Sequence, residues 1–191
     1  MRLRPVRLED AGFIVWLRNL EHAKGRIGDS AADVANQEAW LTGYFERPDD
    51  YYFLIETLGG VSVGTYGLWD FREGGAESGR WIVRPGVPAA IPCAILGLDI
   101  AFDTLGLKQI RVKTVITNAP VLSLNRKFGM KQTFVEKDSQ IIGGTMVDQI
   151  HFVLSPEDWR AARERLVPLA RLAEKQVAEW EQAEGRRGRD Q

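Results

Sequence analysis

The chain has 191 residues, 45% of them hydrophobic and 27% charged, with a formal net charge of −1. This composition predicts a globular core of one domain, or one domain with an appendage, and argues against disorder. Near-neutral charge excludes a bulk electrostatic footprint for nucleic acid. Cys93 is the single cysteine, so disulfide scaffolds and cysteine-based zinc sites are excluded and a reducing cytoplasm is expected. Residues 1–7 have no apolar signal core, and no cluster of metal ligands is apparent. The most apolar window, residues 87–102, contains Pro88, Pro92 and Asp99 and falls short of the ~20 residues that a membrane span needs. It reads as a helix buried in a core, without a membrane partner.

Residues 3–8 alternate apolar Leu3, Val6 and Leu8 with charge, which predicts a first strand. Glu9 and Asp10 open a helix at the end that favours acids; Phe13, Ile14, Trp16, Leu17 and Leu20 form its apolar face, and Arg18-Asn19 lies at its end. Gly25 and Gly28 mark a loop. A second helix starts near Ser30 or Asp33 and runs to Phe45, with Trp40, Leu41, Tyr44 and Phe45 at helical spacing. Residues 51–56 form a strand, Leu58-Gly-Gly a hairpin turn, and 61–69 the next strand. Gly64 and Gly67 within it point to a bend or a close backbone approach. A loop over 71–75 precedes a third antiparallel-type strand at 77–83.

Arg84-Pro-Gly-Val-Pro turns the chain into a helix over 89–105, closed by Gly106. A strand over 110–116 follows. Asn118 can cap the next helix, with Pro120 in its first turn, and that helix ends near Gly129. Residues 131–137 and 145–154 are two more strands joined by a Gly143-Gly144 turn. Ser155-Pro-Glu-Asp starts a last helix. Pro168 is expected to kink or restart it, and the basic tail over 186–191 to fray. The helix after residue 83 is a right-handed crossover, which adds one parallel pair to an otherwise antiparallel run. The predicted fold is α/β of the α+β kind: a mixed, mostly antiparallel central sheet with helices on both faces.

The segment Asn118-Ala-Pro-Val-Leu-Ser-Leu-Asn-Arg-Lys-Phe-Gly-Met130 resembles the Asn-x-Pro-Ala-x-x-Leu-Tyr-x-Lys-x-Gly-Phe helix motif of the GNAT superfamily of acyl-CoA-dependent N-acetyltransferases. Ala101-Phe102 and Leu105-Gly106-Leu107 match the usual end of that family's cofactor helix. The resemblance covers residues 1–154 as an acetyltransferase domain and leaves 155–191 as a C-terminal helical extension. It implies acetyl-CoA as cofactor. It also implies a strand carrying Trp81, Ile82 and Val83 that splays from its neighbour to grip the pantetheine. Leu17-Arg18-Asn19, Trp40-Leu41 and Asp49-Asp-Tyr-Tyr-Phe-Leu54 look like members that acetylate nucleotide-linked aminosugars, the pseudaminic-acid pathway enzyme among them. Ribosomal-protein and peptide N-terminal acetyltransferases are the related alternative.

Two segments depart from the family pattern. Its pyrophosphate loop, usually Gln/Arg-x-x-Gly-x-Gly/Ala, is Pro85-Gly86-Val87-Pro88-Ala89-Ala90 here, without the basic residue. The tyrosine often credited as general acid is Asn125, which hydrogen-bonds but supplies no proton at neutral pH. A helix N-terminus binds phosphate through backbone N–H groups, so the amides of Val87, Ala89, Ala90 and Ile91 are expected to face the pyrophosphate, with close approach at Gly86. Pro88 fits the first helical position, where its missing N–H is not needed. Asn118, Ser123, Asn125 and Lys127 complete the cofactor contacts that the resemblance implies; Asn118 is a plain N-cap, a pantetheine contact, or both.

Glu77 lies at the start of the Trp81–Val83 strand, where the resemblance implies a carboxylate acting as base for the attacking amine, usually through water; an exposed strand-end acid is the alternative. Arg18, Asn19, His22, Trp40, Tyr44 and Trp69 are the acceptor-side candidates, while Trp40 and Tyr44 also fit simple packing on the sheet. His151 is expected in the core or at an edge. A third reading takes the altered loop and Asn125 as marks of a degenerate, non-catalytic binding domain. Leu166, Leu169, Leu172, Val177 and Trp180 give the extension apolar surface that would suit a homodimer.

Overall fold

The computed structural model describes residues 1–23, 26–27 and 33–187. Its strands are β1 (Arg2–Pro5), β2 (Tyr51–Glu56), β3 (Ser62–Arg72), β4 (Gly75–Val83), β5 (Gln109–Val115), β6 (Lys131–Ile142) and β7 (Thr145–Leu154). They form one sheet in the order β1-β2-β3-β4-β5-β7-β6, antiparallel throughout except between β4 and β5. One face carries α1 (Ala11–Arg18) and α2 (Val34–Phe45), which bury Ile14, Leu41 and Tyr44 with Tyr52 of β2. The other face packs against α3 (Ala90–Asp99), α4 (Ala119–Lys127) and α5 (Pro156–Arg187), and holds the main core around Tyr66, Leu68, Ile110, Phe128, Phe152 and Trp159. The expected mixed sheet with helices on both faces is therefore the observed one.

Several element ends differ from expectation for local reasons. Glu9 and Asp10 fall in a single 3-10 turn before α1, and Asp10 is buried, taking the Arg7 N–H and the Arg4 guanidinium on its carboxylate. Asp33 caps α2 by accepting the Asn36 N–H at 2.8 Å; Gly25, Gly28 and Ser30 lie outside the described residues. The expected 71–75 loop is a two-residue turn, because Glu73 and Gly74 both take positive φ and so close β3 directly onto β4. Strand β6 runs on past 137 to Ile142. Asp138 takes a φ of +46° at a register shift, and Asp148 holds it by accepting the Asp138 N–H and the Lys137 ammonium. The Gly143-Gly144 turn closes that hairpin as expected.

The helix predicted over 89–105 begins at Ala90 and finishes as one π turn, Ile100–Thr104. The larger correction concerns Pro168, which neither kinks nor restarts α5: the helix is continuous from Pro156 to Arg187. Proline removes one helical hydrogen bond and crowds the preceding turn. Burial on both sides of it outweighs that cost, with Trp159, Ala162 and Leu166 before it and Ala170, Ala173 and Val177 after it. Asp99 of α3 fixes the start of α5 by accepting from Trp159 Nε1 at 3.0 Å and from Arg163 at 2.8 Å. Thr57 and Arg84 fix its far end through Glu181 and Glu184. Leu166 and Val177 are thus core residues, while Leu169 and Leu172 remain half exposed. Among the described residues, no helix is long and apolar enough to cross a membrane.

Candidate active site

Strands β4 and β5 pair only through Gly75↔Gln109, Ala76↔Ile110 and Glu77↔Arg111. Past Glu77 each strand stays held on its outer side: β4 on β3 as far as Val83↔Gly64, and β5 on β7 as far as Val115↔Gln149. The two therefore part, as expected for the strand of Trp81–Val83, and a cleft of about 540 Å3 opens between residues 78–82 and 112–115. The β4 edge that faces β5 has lost its ladder there, so its N–H and C=O groups are available to a bound molecule. A bulge shapes this edge. Arg80 and Trp81 together oppose Tyr66, and Arg80 takes a φ of +47°. A non-glycine residue there costs about 1–3 kcal/mol. Arg80 is held in place by a two-pronged pair with Asp50, by its carbonyl accepting from Thr65 Oγ1 at 2.7 Å, and by its guanidinium stacking on Trp40, Tyr52 and Trp69.

One half of the cleft is lined by α3 and α4. Ala94, Leu98, Val121 and Phe128 make it apolar; Ser78, Thr114, Asn118 and Asn125 add buried polar groups. Asn125 Nδ2 donates to Thr114 Oγ1 at 3.0 Å, and Ser78 Oγ donates to the Tyr66 hydroxyl at 2.9 Å. Asn118 occupies the N-cap position of α4, but its side chain caps nothing, which corrects the plain-cap reading. Its buried Oδ1 has no partner and borders the cleft. An orphan acceptor beside two free strand edges fits a ligand rich in amide N–H groups, such as a pantetheine arm.

The other half faces α1. Arg18, Arg26, Ile27, Trp69 and Arg80 line it. Gly79 allows Trp69 to lie across β4, since a Cβ there would come within 2.6 Å of the indole. Burial, and then the like charge of Arg80, push the Arg18 guanidinium below its usual pKa, partly countered by Tyr52. Glu77 sits at the apex where the strands part and lines the cleft. Burial raises its pKa above the ordinary carboxylate range, with Asp70 adding to the rise and Lys113, Arg111 and His151 opposing it. A carboxylate raised in this way is a better proton acceptor near neutral pH than an exposed strand-end acid.

The turn from β4 into α3 departs from expectation. Gly86 takes a φ of +79°, and the Val87 N–H returns to the Arg84 carbonyl at 3.3 Å. The Ala89 N–H bonds the Val87 carbonyl at 2.8 Å, so neither the Val87 nor the Ala89 amide is free for phosphate. Ala89 is the N-cap and Ala90 the first helical residue, which places Pro88 before the helix rather than in its first position. Pro92 occupies the third helical position without an N–H. Of the expected donors, only the Ala90 and Ile91 amides remain, as the unpaired N–H groups of the helix start.

Several candidates fall outside the cleft. Asn19 closes α1, its Nδ2 donating to the Val15 carbonyl at 2.9 Å. His22 Nε2 lies 3.1 Å from the Val83 carbonyl and ties the loop after α1 to the end of β4. Tyr44 is buried and its hydroxyl accepts the Tyr52 N–H at 2.9 Å, while Trp40 stacks on Tyr44 and backs Arg80. Ser123 and Lys127 lie exposed on α4 away from the cleft. His151 pairs with Glu136 at 2.8 Å and stacks on Phe134. Arg80, Arg26, Thr114 and Glu136 are cleft residues to which no motif in the sequence pointed. Alternation along a strand would have found Thr114, but the bulge that turns Arg80 inward breaks that alternation.

The sheet thus opens at one parallel pair, with an apolar, amide-compatible slot on one side and a carboxylate at its apex. Residues 1–131 match the family model described as "Acetyltransferase (GNAT) domain", and the chain belongs to that family. It is accordingly an acetyl-CoA-dependent N-acetyltransferase. Among solved structures, one described as an apo form of FdhC, a nucleotide-linked sugar GNAT, is 26% identical with a TM-score of 0.71, over 85% of this chain and 90% of that one. A mutant form of the spermidine N-acetyltransferase SpeG from Vibrio cholerae is 18% identical with a TM-score of 0.73, over 83% and 97%. A GCN5-related N-acetyltransferase from Brucella melitensis is 20% identical with a TM-score of 0.75, over 88% and 81%; like SpeG it shares the fold. No curated protein matches the sequence significantly.

Proposed function

We propose that the enzyme transfers acetyl from acetyl-CoA to the amino group of a nucleotide-linked aminosugar. The observation that carries this reading is the charge of the acceptor half: Arg18, Arg26 and Arg80 beside Trp69. Asp50 offsets the charge of Arg80, and the excess of three arginines over that one carboxylate against a low-dielectric wall favours an anion, since arginine matches phosphate oxygens two at a time. A diphosphate satisfies that demand, and an indole face suits a sugar or base. A polyamine is polycationic and is repelled by the same group, although SpeG shares the fold. The 26% identical nucleotide-linked sugar GNAT supports the anionic choice.

Acetyl-CoA supplies an activated thioester. The chain's own groups then act on it in sequence. The open β4 edge offers N–H groups where charge develops on the thioester oxygen. Glu77 accepts the amine proton, directly or through one water, as the C–N bond forms and the C–S bond breaks. With a thiolate as leaving group, Asn125, held by Thr114, would have only to orient the arm and would need no proton to donate. Lys113 and Arg111 oppose the rise that burial gives the Glu77 pKa.

A panel of acceptors tests the proposal. Free thiol release is measured with UDP- and dTDP-linked aminosugars, spermidine and N-terminal peptides. The nucleotide aminosugars should give kcat/KM at least about 100-fold above the others, and R80A should remove most of that preference through KM, since a charge-assisted contact is worth about 1.5–3 kcal/mol. Turnover of peptides or spermidine in preference to every nucleotide sugar would refute it.

A further inference from the structure

A second cleft, about 500 Å3, lies where the β4–α3 turn meets the far end of α5. Gly86, Val87 and Pro88 form one wall, and Gln176 and Trp180 the other. We propose that this cleft seats the adenine end of coenzyme A, with Trp180 stacking on the purine. This extends the cofactor reading and is independent of the acceptor.

Three observations converge here. The slot between β4 and β5 suits the thioester arm, so the nucleotide end of the same molecule has to leave by the mouth at Val83, where the turn begins. That turn is poor in donors. Pro85, Pro88 and Pro92 have no N–H, and the Val87 and Ala89 amides are used internally. Its one arginine, Arg84, bonds Glu184 at 3.0 Å and is sandwiched between Trp16 and Trp180 rather than reaching over the turn. Much of the hold on the nucleotide therefore has to come from another element. Continuous past Pro168, α5 brings an indole and a carboxamide to the same three turn residues.

The chemistry of that wall fits a purine. An indole face stacks on a base without regard to its edges. A glutamine amide carries one acceptor and two donors, which pair with the amino and ring-nitrogen edge of adenine. The Arg84 guanidinium lies over one face of the Trp180 ring, 5.0 Å from its centroid, so the purine stacks on the other face.

Titration of the full chain with coenzyme A and with 4′-phosphopantetheine, which lacks the nucleotide, tests this. W180A should weaken coenzyme A binding by ~10-fold or more, the scale of one base–aromatic stack, and leave 4′-phosphopantetheine within about twofold. W180F should keep most of the affinity, and Q176A should again weaken only coenzyme A. Unchanged coenzyme A affinity in W180A and Q176A, or equal weakening of both ligands, would overturn the proposal. Failure of the unsubstituted chain to bind coenzyme A would overturn it together with the acetyltransferase reading, whereas failure to use a nucleotide sugar would leave it standing.

Discussion

In the proposed reaction, Glu77 joins the geometry of the sheet to the chemistry. It is the last residue of β4 paired to β5, and its environment raises its pKa. As a base it has to be ionised, so the rate should climb with pH through a value above the usual carboxylate range. E77Q should lower kcat by about 10²- to 10⁴-fold and abolish that limb. Stability should move the other way. A carboxyl whose folded pKa is raised stabilises the fold in its protonated form; that contribution is complete below the unfolded pKa and is lost as pH rises through the folded value. E77Q should therefore leave the melting temperature at pH 7 unchanged or higher. A flat pH profile in the unsubstituted enzyme, or full activity in E77Q, would remove Glu77 from the role. The place of Glu77 beside the cleft was legible because its position in the strand resembles the family pattern. Arg80 was not. It is a left-handed residue in a bulge, held by Asp50 from a distant part of the sequence, and that arrangement leaves no periodic signal.

At the scale of elements, the segment Asn118 to Met130 folds as its motif implies, a helix entered by proline and left at Gly129, whose φ is +83°. The β4–α3 turn does not, because three prolines and two internal hydrogen bonds decide which amides are free, and only the backbone path reveals that. Helix α5 shows the limit of a local rule. Proline at 168 predicts a break from propensity alone, yet the buried stripe from Trp159 to Val177 holds the helix across it. The lost hydrogen bond and the crowding remain as a penalty of up to ~3 kcal/mol. P168A should therefore raise the unfolding free energy by about 1–3 kcal/mol in urea titration, with no change in far-UV helix signal. A destabilised P168A would show that the proline stiffens the unfolded chain more than it strains the helix.

Over the whole molecule, the proposed reaction gives each of two helical layers one half of the work. Helices α3, α4 and α5 face the cofactor side of the sheet, and α1 and α2 support the acceptor side through Arg18 and the aromatic rings behind Arg80. Order of elements, the parallel pair and the cofactor class were all legible in the sequence, since each rests on hydrophobic period or a contiguous motif. The basic acceptor wall was only partly so. Arg18 stands in a short motif, but Arg26 and Arg80 join it across a loop and a bulge that only folding brings together. In the proposed reaction, acetyl-CoA and a nucleotide aminosugar meet at the apex of the opened strand pair. A crystal structure with coenzyme A and a dTDP-linked aminosugar tests this most directly. The sulfur should lie between β4 and β5 near Asn125, the sugar amine within one water of Glu77, and the diphosphate against Arg18, Arg26 and Arg80. A diphosphate seated away from those arginines, or an amine remote from Glu77, would contradict it.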